Sequence, residues 1–160
     1  YVGDIVSIDT TVLRKQLDAG LMPVVSPISS DDSGMVLNIN ADTVAAALGA
    51  ALGAEKLILC TGAPGILERR DDPRSLVSYT DLAGLKRLEQ AGSLEGGMLP
   101  KASAIESAIR GGVRRVHVIS FDVRDSVLAE VFTNEGTGTM IVADVKALTP
   151  AEQHPEAAAS

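Results

Sequence analysis

Three segments of this chain hold residue types whose spacing could do chemistry. The first reads Glu95-Gly96-Gly97-Met98-Leu99-Pro100-Lys101. A glycine pair leads into a helix with a proline in its first turn, which lets a ligand approach the main chain and leaves backbone N–H groups free. A helix N-terminus favours anions, so a lysine in its first turn opposes the dipole by roughly 0.3–1 kcal/mol. The placement makes sense if a phosphate sits there and Lys101 touches a transferring group. A solvent-facing lysine after an ordinary Gly-Gly turn would use the same residues.

The second segment, Asn38-Ile39-Asn40-Ala41-Asp42, places two amides and a carboxylate between a strand end and an Ala-rich helix. In extended chain Asn38 and Asn40 face one way, while Asp42 is expected to cap the helix and to hold nearby lysines. An Asx-rich turn with a cap would need only one of the three. The third, Thr61-Gly62-Ala63-Pro64-Gly65, follows an apolar strand, and its small side chains could admit an adenine or a ribose or simply turn the chain. Neither a Walker lysine motif nor a dinucleotide glycine fingerprint is present. His117, inside a strand, and His154, near the end, make no ligand set, so no metal site is expected. The single cysteine, Cys60, lies in an apolar run with nothing cationic close by, so a buried structural thiol is expected.

The elements that position these segments alternate. Strands are expected at residues 4–8 and 21–27, the latter with prolines near its ends. A helix lies between them, capped by Asp9 or Thr10, carrying Val12, Leu13 and Leu17 on one face and stopping at Gly20. A turn at residues 30–34 returns through a short hairpin strand at residues 35–37. Further helices are expected over residues 42–52, 98–110 and 126–132, and another capped by Thr80 or Asp81 and ended by Gly92. Strands follow at residues 56–61, 115–120 and 139–142. Residues 68–75 are a charged excursion into water. The run at 56–61 is almost wholly apolar, as in a parallel sheet covered on both faces. Such alternation points to an α/β fold with a mostly parallel sheet, whose ligands gather beyond the carboxyl ends of the strands.

The bulk properties agree. The 160 residues suffice for one domain, with 46% hydrophobic and 22% charged side chains. The net charge of −7 disfavours a general nucleic-acid binder. No apolar stretch approaches the ~20 residues that span a bilayer. A lone cysteine and the lack of a secretory leader suit the cytoplasm. The chain opens at Tyr1 rather than Met, and an upstream segment is expected.

Together the motifs resemble the amino acid kinase family, and within it the acetylglutamate kinases. The resemblance runs from Tyr1 to about Val142, and its motifs come in order. They are Tyr1-Val2-Gly3-Asp4, the Asn38 to Asp42 segment, Gly96-Gly97-Met98-Leu99-Pro100-Lys101, Gly111-Gly112-Val113-Arg114-Arg115-Val116-His117 and Phe132-Thr133-Asn134-Glu135-Gly136-Thr137-Gly138-Thr139. It implies a three-layer αβα sandwich. It also implies transfer of the γ-phosphoryl group of ATP, bound with Mg2+, to the γ-carboxylate of N-acetyl-L-glutamate in arginine biosynthesis. By matching positions, Asn38 and Asn40 hold the acetylated amino acid, Asp42 organises the catalytic lysines and Lys101 stabilises the transferring phosphoryl. Thr61, Gly62, Gly65, Gly96, Gly97 and Met98 line the nucleotide site. His117, Glu130 and Gly136 match an arginine-inhibition site found in some members, and the resemblance implies a homodimer or homohexamer for the complete protein.

Two departures stand out. Gly62 replaces the family's usual Asp, and the amino-terminal Lys-x-Gly-Gly motif with most of the acyl pocket is absent. Residues 1–143 therefore resemble the carboxyl-terminal, nucleotide-binding portion, with 144–160 a disordered tail, and the chain alone is expected to be inactive. An aminoadipate-type kinase of lysine biosynthesis and a non-catalytic arginine-sensing module are the alternatives; retention of Lys101 and Asp42 argues against the second.

Overall fold

The computed structural model describes residues 2–133 and 136–147. Asn134, Glu135 and residues 148–160 lie outside the described residues; of the 144–160 tail for which disorder was expected, Val145–Ala147 form a short 3-10 turn.

A four-stranded sheet organises the molecule. Its strands are β3 (Lys56–Thr61), β4 (Tyr79–Asp81), β5 (Arg115–Ser120) and β6 (Thr139–Val142), in the order β3-β5-β6-β4. Two of the three pairings are parallel, β3 with β5 and β4 with β6, while β5 and β6 run antiparallel. A separate antiparallel hairpin joins β1 (Ile28–Ser30) to β2 (Val36–Asn38). One sheet face is covered by α2 (Ala41–Leu52), α3 (Leu82–Gln90) and α4 (Met98–Arg110). There Ala46, Leu85, Ile105 and Ala108 meet Leu59, Val116, Val118 and Ile141 in the buried core. The short α5 (Ser126–Phe132) packs against β5 on the opposite face, where Glu130 meets His117. The mostly parallel αβα arrangement is the expected one.

Helix ends follow from local chemistry. Asp81 caps α3, its carboxylate accepting from Gly84 N at 2.7 Å, and this bond holds the Asp81 carboxyl below its ordinary range. Asp9 Oδ1 accepts from Thr11 N at 2.9 Å at the start of α1 (Thr11–Asp18), while Thr10 makes no side-chain cap.

Four expectations fail. Residues 4–8 are not a strand: Val2 alone bridges to β2, and Val6 is 99% exposed. The bridge from Val2 to Asn38 is parallel, so residues 4–8 would have to pair with the chain beyond Asn38, which turns into α2 (Ala41–Leu52) instead. Residues 21–27 form no strand either, because Pro23 and Pro27 remove two donors; pairing begins at Ile28, just past the second. Cys60 is exposed, not buried. β3 is an edge strand, and Cys60 points away from the face that carries Leu59 into the core. The excursion at residues 68–75 is not wholly solvated, since Ser75 is buried and its hydroxyl donates to Asp72 O at 2.7 Å. β4, three residues with two polar side chains, is a strand that hydrophobic patterning did not show.

Candidate active site

The helix starts of α2 and α4 converge. Asp42 lies in the first turn of α2 and Lys101 in the first turn of α4, 59 residues apart in sequence. Lys101 Nζ donates to both carboxylate oxygens of Asp42, at 2.8 and 2.9 Å. Lys101 is only 7% exposed and Asp42 is partly buried. This geometry disposes of the solvent-facing lysine: burying an ammonium is costly unless a counter-charge with good geometry meets it.

Asp42 is free for that task because it does not cap its helix. Asn40 does, accepting from Thr43 N at 3.1 Å. The cap expected of Asp42 thus falls to Asn40, whose extended backbone suits the N-cap position while Asp42 is already helical. Asn38 ends β2, exposed, and its carbonyl accepts from Gly3 N at 3.1 Å.

Beside Lys101 opens a cleft of about 330 Å³. Thr61 borders it from the end of β3, Gly65 from the loop that follows, and Gly97 and Met98 from the start of α4, with Ala63, Ile66 and Leu94 as apolar wall. Gly62 and Gly96 do not line it. Gly65 has a packing reason as well: a Cβ there would meet Thr139 Oγ1 at 2.7 Å and Leu76 Cδ1 at 2.8 Å. The same Thr139 hydroxyl accepts from Ile66 N at 2.8 Å, fixing the loop on the sheet. Gly96 adopts φ +53°, the left-handed turn that aims the chain into α4. The expected free N–H groups are fewer than the sequence suggests. That turn sends the Met98 and Leu99 N–H groups to the carbonyls of Glu95 (3.0 Å) and Gly96 (3.3 Å), and Pro100 has none. Charge handling in the cleft therefore falls to side chains. Patterning missed two of these, Arg70 and Glu95, which form an ion pair among the residues lining the cleft.

On the α5 side of the sheet His117 is 4% exposed and its Nδ1 hydrogen-bonds Glu130 Oε1. Glu130 Oε2 accepts from Thr137 N at 3.0 Å, and Gly136 lies alongside, where a Cβ would stand 3.8 Å from Oε1. Burial lowers the His117 pKa, against the raising effect of Glu130. Its Nε2 is buried without a partner among the described residues. The structure therefore brings His117, Glu130 and Gly136 together, apart from the lining of the Lys101 cleft.

A parallel-strand α/β domain with a lysine-bearing cleft beyond the end of β3 defines the class. Comparison with known proteins gives the family: the model of the amino acid kinase family matches residues 1–120, and the chain belongs to it. Proteins named acetylglutamate kinase are similar along most of the chain. That of Myxococcus xanthus is 49% identical over 141 residues, 88% of this chain and 46% of the relative. The chloroplastic one of Arabidopsis thaliana is 45% identical over 88% of this chain and 41% of its own length. The chain thus spans about half the length of the curated relatives it matches. Among solved structures, N-acetylglutamate synthase from Neisseria gonorrhoeae, complexed with coenzyme A and L-arginine, superposes with a TM-score of 0.82 at 31% identity. That match covers 90% of this chain and 33% of the synthase. Carbamate kinase from Giardia lamblia bound to AMP-PNP, at 21% identity and a TM-score of 0.65 over 83% of this chain and 44% of its own, shares the fold.

Proposed function

We propose that these residues are the carboxyl-terminal, nucleotide-binding portion of a kinase that moves the γ-phosphoryl group of ATP to the γ-carboxylate of N-acetyl-L-glutamate, in arginine biosynthesis. The observation that carries the reading is the Lys101 ammonium held by both oxygens of Asp42 at the cleft. Similarity to acetylglutamate kinases over 88% of the chain supports the acyl acceptor. The residues suit a nucleotide. Ala63, Ile66, Leu94 and Met98 offer an apolar wall to a base, and a Cβ at Gly97 would meet nothing within 4 Å, so the backbone there stays open to a ligand. Among the described residues no group of three or more His, Cys, Asp or Glu side chains is placed to hold a metal ion, and in this reading magnesium arrives on the phosphates of ATP.

In the reaction a γ-carboxylate oxygen bonds to the γ-phosphorus as the bond to the β–γ bridging oxygen breaks, giving an acyl phosphate and ADP. The acceptor is already ionised, so no general base is needed; positioning and charge neutralisation supply the rate. Lys101 neutralises charge on the transferring oxygens, Asp42 fixes the ammonium, and Asn38 with Asn40 presents an amide side to the acyl substrate. Asn40 does so only through its NH2 group, since its oxygen is committed to the cap. Thr61, Gly65, Gly97 and Met98 border the nucleotide, whereas Gly62 brings no side chain to it. The complete polypeptide is read as a cytoplasmic homodimer or homohexamer on the resemblance alone.

The test is to trap acyl phosphate with hydroxylamine from the polypeptide carrying its amino-terminal half, offering N-acetylglutamate and an aminoadipate derivative side by side with Mg-ATP. Hydroxamate from N-acetylglutamate is expected. Hydroxamate from the aminoadipate derivative alone would move the protein to the lysine route, and none from either would favour a sensing module.

One observation favours arginine regulation besides: the His117–Glu130–Gly136 group pairs a buried carboxylate with an unpartnered imidazole nitrogen. A carboxylate has lone pairs left for a guanidinium after its bonds to His117 and Thr137. Millimolar arginine is expected to slow the kinase, and an unaltered rate rejects the regulation.

A further inference from the structure

Two cations are found among the residues that line the cleft, Lys101 and Arg70, and each carries its own acidic partner. The two pairs differ in kind. Lys101 and Asp42 are joined by two short bonds and sheltered from water, whereas Arg70 and Glu95 are 63% and 59% exposed in their side chains. An exposed pair gains little from its Coulomb attraction because water screens both charges. It exchanges readily for a partner with more charge, and a guanidinium matches phosphate oxygens with two parallel N–H donors. The pair is not needed to hold its two loops together. Ser93 Oγ already donates to Glu68 O at 2.7 Å, joining the same two segments a step away.

We propose that Arg70 is a further phosphate-binding residue of the nucleotide cleft, and that Glu95 occupies its guanidinium until a nucleoside polyphosphate displaces it. The inference rests on the nucleotide reading of the cleft. Glu95 immediately precedes the left-handed Gly96, so the carboxylate that gives way stands at the turn into the helix bearing Lys101. Arrival of the phosphates at Arg70 is thereby coupled to the start of α4.

The experiment is calorimetric titration of the complete polypeptide and its Arg70→Ala, Arg70→Lys and Glu95→Gln variants with ATP, ADP and adenosine. Arg70→Ala should weaken ATP roughly ten- to a hundredfold, the value of a charge-assisted hydrogen bond, and leave adenosine unchanged. Arg70→Lys should recover part of the loss. Glu95→Gln, which removes the competitor and keeps the shape, should tighten ATP roughly two- to fivefold. ATP binding by Arg70→Ala at the wild-type affinity, or an equal loss for ATP and adenosine, would overturn the phosphate role while leaving the nucleotide cleft standing. Weaker ATP binding by Glu95→Gln would overturn the displacement. A wild-type chain that binds none of the three would reject the cleft reading and this inference with it.

Discussion

Burial changes what two side chains can do. A lysine 7% exposed is gripped by both oxygens of Asp42, and its ammonium is thereby a fixed donor rather than the tip of a mobile surface arm. His117 is a different case, an imidazole that burial holds toward its neutral form. Its pKa in the folded chain lies below the unfolded value near 6.5, so the unfolded chain takes up the proton first as pH falls. His117 therefore contributes its full stability above about pH 6.5, and that contribution is lost as pH drops from there through the depressed folded value. Melting temperatures measured from pH 7.5 downward should fall more for the wild type than for His117→Gln. Parallel curves would contradict the burial argument. Position 117 shows the limit of the sequence as well. A strand histidine is legible there, but its contact with Glu130 depends on α5 folding across β5, which no local pattern encodes.

At the scale of elements, the Lys101–Asp42 pair depends on how α2 begins. Asn40 takes the cap, which leaves the Asp42 carboxylate for Lys101. Asn40→Ala should cost about 1 kcal/mol in denaturant unfolding, as loss of an N-cap does, because the Thr43 N–H loses its partner. An unchanged midpoint would mean the cap carries no weight. The spans of β3, α4, β5, α5 and β6 are legible because each has a clear apolar period or a marked end. The glycines at 111 and 112, for example, close α4. Residues 21–27 and 4–8 mislead because β-forming composition says nothing about whether a partner strand exists. The Lys101–Asp42 pair is half legible: each residue type signals chemistry, while their meeting across 59 positions is a property of the fold. In sequence Arg70 reads as part of a solvated excursion and Glu95 only as the residue before a glycine pair, and the closing of two loops around one cleft is what brings them together in it.

For the molecule as a whole, the distribution of exposed apolar surface is uneven. Val2, Val6, Met22 and Val24 are each at least 83% exposed, all in the first 24 residues, and α1 buries none of its side chains. Exposed apolar area of this kind marks a surface that something else covers. The family match, with the chain spanning about half the length of its curated relatives, agrees with a functional unit larger than these residues. In the proposed reading the chain by itself binds nucleotide yet gives no acetylglutamate-dependent turnover, since the acyl pocket and a second lysine come from the other half. Turnover by the 160 residues alone would overturn that division of labour.

The most direct test of the central claim is the rate of N-acetylglutamate phosphorylation by the complete polypeptide with Lys101 and with Lys101→Ala, measured alongside melting temperature. A positive group that stabilises the transferring phosphoryl is worth roughly a hundred- to a thousandfold in rate, as for other preorganised charge stabilisers. The account predicts a loss of that size in kcat with the fold retained. A folded Lys101→Ala protein that turns over at the wild-type rate would contradict it.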